Sequence, residues 1–159
     1  MTVARIGTPE DMERLGRRIG ADLRAGDLVV LTGPLGAGKT TLTRGIGAAL
    51  NVRGPITSPT FVLARTHPSL ASGPPLVHVD AYRLADAREL DDLDIDFERS
   101  VVVVEWGAGM LDGIADAWLE VLIEREAGPL ADAHDSGPLS DDLDAPQPRV
   151  VTLTRHRAP

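Results

Sequence analysis

Hydrophobic and polar positions along the chain switch between two periodicities. Met12, Leu15, Ile19 and Leu23 recur at helical spacing behind Thr8-Pro9, with Asp11 three residues after Thr8. Threonine, proline in the first turn and an acid three residues on form a capping-box-like start. The pattern therefore predicts a helix over about 9–24, with Gly26 as its stop. "DLVVLTG" is a short, β-branched apolar run of the kind found in strands buried on both faces. "TTLTRGIGAALNV" then returns to the helical pattern and ends near Asn51.

The alternation continues. "PITSPTF" is a proline-punctuated loop, "FVLARTH" a strand and "PSLASGPP" a turn. "LVHVDAYRL" gives a strand ending at Asp80, "DARELDDLDI" a short acidic helix, and "SVVVVEWG" a second buried strand. "AWLEVLIERE" alternates as a late strand does, with "RVVTLTR" as its expected partner. Strands interleaved with helices predict an α/β fold in three layers, a P-loop NTPase-like arrangement with a mainly parallel central sheet covered on both faces. The last two strands are expected to add a C-terminal antiparallel extension.

Composition sets the limits of this picture. The 159 residues suit one domain, residues 1–159. Residues 126–148 hold prolines, glycines and acids without one lysine or arginine, and are read as a flexible acidic insertion. A net charge of -8 argues against a large nucleic-acid surface of the chain's own. Without cysteine there is no disulfide, thiol nucleophile or iron–sulfur site, and His67, His78, His134 and His156 lack zinc-type spacing. The opening segment has no apolar core like that of a signal peptide, and the longest apolar run is too short for a membrane span. The expected setting is cytoplasmic, with no membrane contact.

The chemistry is carried first by "LTGPLGAGKTTLTRG". Gly33, four residues, then Gly38-Lys39-Thr40 satisfies G-x-x-x-x-G-K-[ST], between an expected strand and an expected helix. Backbone N–H groups of such a loop turn inward around phosphate oxygens, and the helix N-terminus adds its positive end. Expected nucleotide contacts are Gly33, Leu35, Gly36, Ala37, Gly38, Lys39, Thr40 and Thr41, with Lys39 on the β and γ phosphates and Thr40 on Mg²⁺. Lys39 is also the only lysine in the chain; all other basic side chains are arginine. A preference for arginine explains the missing lysines but not the one kept, which stands where a compact ammonium fits and a planar guanidinium does not. The same scarcity leaves no Asn/Thr-Lys-x-Asp sequence for selecting guanine, so ATP is favoured over GTP.

Mg²⁺ and an attacking water need a carboxylate at a neighbouring strand end. Asp80 closes "LVHVD" and Glu105 closes "VVVVE". In a parallel sheet both would lie on the phosphate side. "ITSPTF" resembles a switch loop whose Thr57, Ser58 and Thr60 offer hydroxyls while Pro59 fixes the bend. Tyr82 and Trp106 each follow a candidate acid closely, and from sequence alone a contact surface and core packing are equal readings.

In this order "GPLGAGKTTLTRG", "ITSPTF", "HVDAYRL" and "VVVVEWG" resemble the TsaE family, also called YjeE, over most of the chain. The resemblance implies a Mg²⁺-dependent ATPase, slow alone, that works with the proteins TsaD and TsaB in threonylcarbamoyladenosine modification of tRNA beside the anticodon. The tRNA would be met through those partners. It implies ATP in the Walker-type loop, Mg²⁺ on Thr40 and Glu105, and catalysis by Lys39, Asp80 and Glu105; Thr60 of the switch-like loop joins the expected nucleotide contacts. Two departures stand out: Gly107 follows V-E-W where proline is common, and Asp94 stands where glycine is frequent. The rival readings are a small-molecule kinase, with Asp80 activating an acceptor hydroxyl, and a non-hydrolysing ATP sensor or adaptor.

Overall fold

A computed structural model describes residues 1–59, 63–109, 115–126 and 147–157. Strand β1 (Thr2–Ile6) leads into helix α1 (Pro9–Asp22), then β2 (Leu28–Thr32) and α2 (Lys39–Ala49). After β3 (Ala64–His67) and β4 (Leu76–Asp80) come a 3₁₀ turn (Ala81–Arg83) and the short α3 (Ala87–Asp91). β5 (Val101–Glu105), β6 (Ala117–Arg125) and β7 (Arg149–Arg157) complete the chain. Thr60 and residues 127–146 of the expected insertion lie outside the described residues.

All seven strands join one sheet in the order β1-β7-β6-β2-β5-β4-β3. β6, β2, β5 and β4 run parallel, while β3 at one edge and β7 and β1 at the other are antiparallel to their neighbours. The parallel core is what the buried runs require: β4 and β5 are buried at every position. β6 differs from expectation. It pairs in parallel with β2, Leu31 opposite Val121, and so belongs to the core sheet, leaving only β7 and β1 as the antiparallel extension. β1 itself carries no clear sequence signal, because Ile6 is its one buried residue and its register comes from β7.

The layers are unequal. α1 and α2 cover one face, where Met12, Leu15 and Ile19 meet Leu42, Ile46, Val29 and Val103. The opposite face is covered by the chain from Ala81 to Phe97, through Leu84, Leu90 and Phe97 over Val30, Val79 and Val104. The expected cap of α1 is present, with Thr8 Oγ1 accepting from the Asp11 N–H at 3.1 Å, but the helix stops at Asp22, short of Arg24. Between α1 and α2 the backbones touch. A Cβ added at Gly45 would stand 2.1 Å from the Glu13 carbonyl oxygen and 2.9 Å from Gly16 Cα. Only glycine permits this approach.

Asp94, where the family pattern favours glycine, has φ 51°. That left-handed conformation explains the preference, and aspartate is among the few other residues that adopt it.

Candidate functional site

Because β2, β5 and β4 are parallel, their carboxyl ends open on one side of the sheet. Leu31 of β2 is level with Glu105, and Glu105 is level with Asp80. β2 then runs into the 33–38 loop, β5 into Trp106, and β4 into the 3₁₀ turn. Three strand ends thereby surround one cavity of about 610 Å³.

The loop forms one wall through Leu35, Gly36 and Gly38, continued by Lys39, Thr40 and Thr41 at the start of α2. Gly38 is the N-cap at φ 110°, with Met12 Cε 3.2 Å from where its Cβ would be, and it supplies no side-chain cap. A left-handed N-cap is the glycine's reason for being there. Donors in the first turn of a helix have no intrahelical partner, so this end is chemically suited to an anion. Gly33 and Ala37 do not line the cavity. Gly33 contributes its carbonyl oxygen to Lys39, and Ala37 is buried in the core with its N–H on the Pro34 carbonyl at 3.1 Å.

Lys39 is only 5% exposed. Its Nζ donates to the carbonyls of Gly33 at 2.8 Å and Pro34 at 3.0 Å, and lies 3.9 Å from the centre of the Trp106 ring. Burial lowers its pKa from the ordinary lysine value, opposed by the charges of Glu105 and Asp80. Trp106 holds φ 64°, unusual for a bulky residue, and its N–H is anchored on the Leu31 carbonyl at 3.0 Å. Backbone strain of this kind collects at functional sites, and here it turns the indole over the ammonium. Tyr82 meets Trp106 edge to face, ring centres 5.5 Å apart, and is 69% exposed. Of the two readings left open for this pair, the structure takes neither whole: Trp106 is half-buried over the lysine, and Tyr82 stands on the surface.

The two acids differ. Glu105, buried, accepts from the Thr40 hydroxyl at 3.3 Å and lies 2.8 Å from His78 Nε2, both through Oε1. Asp80 caps the 3₁₀ turn by accepting from the Tyr82 N–H at 3.0 Å, and also lines the cavity. Ser58 of the expected switch loop reaches the cavity wall, whereas Thr57 is not part of it. That loop is tied to α2 by the Arg44 Nε–H, which donates to the Ile56 carbonyl at 3.0 Å.

The sequence reading missed three features. His78 was weighed only as a zinc ligand. Arg125, from the end of β6, donates to the Leu35 carbonyl at 3.1 Å and steadies the loop tip. A second cleft of about 150 Å³ backs onto the loop, where Gly36, Gly38 and Thr41 face Thr8, Pro9 and Arg149. No periodicity signals any of them, because each depends on strands far apart in the chain.

Hydroxyl and carboxylate oxygens 3.3 Å apart are hard donors suited to Mg²⁺, which is commonly held by one or two protein groups plus phosphate and water. Among the described residues no group of three or more His, Cys, Asp or Glu side chains is placed to hold a metal ion. No helix among them is long and apolar enough to cross a membrane.

A family model described as threonylcarbamoyl adenosine biosynthesis protein TsaE matches residues 6–130. The chain is 59% identical over 124 residues to the tRNA threonylcarbamoyladenosine biosynthesis protein TsaE of Streptomyces coelicolor, covering 76% of this chain and 84% of that one. With the Bacillus subtilis protein of the same description it shares 33% over 122 residues, 76% of each chain. The crystal structure of Bacillus subtilis YdiB superposes with a TM-score of 0.67 at 24% identity, covering 96% of this chain and 83% of that one. That likeness concerns the fold, a P-loop sheet with mainly parallel central strands.

Proposed function

The chain belongs to the TsaE family, a family of threonylcarbamoyl adenosine biosynthesis proteins, and from that premise we propose that it is a Mg²⁺-dependent ATPase serving this tRNA modification. The observation that carries the reading is one cavity uniting the only lysine, Thr40 and two strand-end acids, Asp80 and Glu105. In this reading the α2 N-terminus and Lys39 bind the phosphates. Lys39 exchanges its two carbonyl partners for β and γ oxygens and places a fixed charge where negative charge gathers as the terminal bond breaks. Thr40 and Glu105 would hold Mg²⁺, which supplies further neutralisation there. Thr40 can lend an oxygen lone pair while its hydroxyl still donates to Glu105. Asp80, level with Glu105, orients the attacking water. The adenosine end leaves past Thr41 into the second cleft, between Thr8 and Arg149. Loss of the γ-phosphate frees the 57–60 loop, as in switch segments ordered by phosphate and metal.

The protein acts in the cytoplasm with TsaB and TsaD, which hold the tRNA. The acidic charge of this chain supports leaving RNA to its partners. An ATPase whose site is completed by partners turns over slowly alone. The deciding measurement is release of labelled γ-phosphate by wild type, Lys39→Ala and Glu105→Ala, each with and without TsaB and TsaD. Turnover stimulated by the partners and lost in both variants is expected. Near wild-type hydrolysis in either variant removes that residue from the mechanism. Label transferred to a metabolite overturns hydrolysis in favour of a kinase, and binding without turnover in the full system favours a sensor.

A further inference from the structure

Along β4, Leu76 and His78 face the side covered by α1 and α2, while Val77 and Val79 face the other. His78 is wholly buried there. Its Nε2 lies 2.8 Å from Glu105 Oε1, the oxygen that also accepts from Thr40. Its Nδ1 has no partner among the described residues. An imidazole buried with one nitrogen unpaired works against folding. An apolar side chain of similar size would fill the same space without that cost, so packing does not account for the histidine.

We infer that His78 is a positioning residue for Glu105, presenting its carboxylate to the divalent cation in one orientation. A carboxylate oxygen accepts, so the proton between the two groups sits on Nε2. Together the Nε2–H and the Thr40 hydroxyl fix Oε1 from two sides, one from β4 and one from α2. Groups that hydrogen-bond to metal-binding carboxylates tune metal affinity in this way, and their loss typically costs 10- to 100-fold. The inference rests on the Mg–ATP reading above, and adds to it a buried residue of β4 that does not line the cavity.

The test compares wild type with His78→Gln, whose amide can donate in place of the Nε2–H, and His78→Met, which has similar bulk and no donor. Binding of a fluorescent ATP analogue is titrated first in EDTA and then against Mg²⁺, with thermal unfolding recorded for each protein. For His78→Met the Mg²⁺ needed for half-saturation is expected to rise roughly 10- to 100-fold, while affinity in EDTA stays that of wild type. His78→Gln is expected to recover most of the loss. An unchanged Mg²⁺ requirement in folded His78→Met overturns the inference, as does an equal loss with and without metal, which marks a structural role. A wild type whose nucleotide binding ignores Mg²⁺ overturns the Mg–ATP reading instead. If His78→Met does not fold, nitrogen NMR of the wild-type imidazoles decides: a proton on Nε2 of His78 supports the inference, and an Nε2 without a proton overturns it.

Discussion

On the floor of the cavity Lys39 and Glu105 are buried, with His78 behind Glu105, and each has a hydrogen-bond partner within the protein. On the rim Leu35 and Tyr82 are 85% and 69% exposed. The backbones that carry the floor groups are set by strand register and by the glycine contact between α1 and α2, so those backbones cannot shift without disturbing the sheet. Rim groups sit on the 33–38 loop and the 3₁₀ turn, where Arg125 ties the Leu35 carbonyl and Tyr82 is held by the Asp80 cap and the Trp106 ring. A fixed array of charges and dipoles reorganises little when phosphate arrives. Exposed apolar side chains around an opening leave surface for another molecule to cover.

The comparison is broken most severely at its lysine. Lys39→Arg keeps the charge, but a planar guanidinium does not fit between two carbonyls and the Trp106 ring. ATP turnover is expected to fall by roughly a hundredfold or more, with the melting temperature recorded to show that the fold survives. A wild-type rate would mean that the floor is more pliable than its burial implies.

Next comes the support beneath the floor. Gly45→Ala drives a methyl into the backbone of α1 at Glu13 and Gly16. Overpacking of this kind costs about 1–3 kcal/mol, read from the denaturant midpoint. A neutral result would show that the two helices can separate without penalty.

A smaller effect follows from the buried ammonium. Its pKa is lowered chiefly by burial, so Lys39 loses its proton at a lower pH than an exposed lysine. Nucleotide affinity should therefore decline as pH rises toward that lowered value, and in Lys39→Met the decline should vanish. Stability of the nucleotide-free protein moves the other way. Below the folded pKa the cost of the buried charge is fully present, and between the folded and unfolded values the unfolded chain binds more protons, so stability rises with pH. Affinity measured from pH 7.5 upward, alongside thermal unfolding, checks both signs.

The smallest expected change is on the rim. Tyr82→Ala should alter stability by less than about 0.5 kcal/mol, while weakening stimulation by TsaB and TsaD if partners cover this surface. Equal stimulation of wild type and variant by the partners would leave the rim without that role.

How much of the site could be read from the chain depended on the range of the signal. The phosphate loop was legible because strand, glycines, lysine and helix are consecutive. Asp80 and Glu105 were legible as acids ending buried runs, and parallel pairing brings both to the loop. Thr60 falls outside the described residues, Gly33 holds Lys39 through its carbonyl rather than lining the cavity, and Ala37 lines the second cleft. β1 was not legible, since four of its five residues escape burial. Nor was the parallel seat of β6, because alternation reports which face is buried and says nothing of the neighbour.

Local order therefore came from the sequence by itself: which segments other than β1 are strands or helices, where a glycine-rich loop joins β2 to α2, and which family the four motifs resemble. Tertiary structure alone decided that His78 meets Glu105 across two strands, that Trp106 covers Lys39, and that Gly16 and Gly45 press α1 against α2. The reason is physical. Helix caps, glycine turns and apolar periodicity act between residues a few positions apart, whereas register and helix docking are settled by packing among segments the chain does not place side by side.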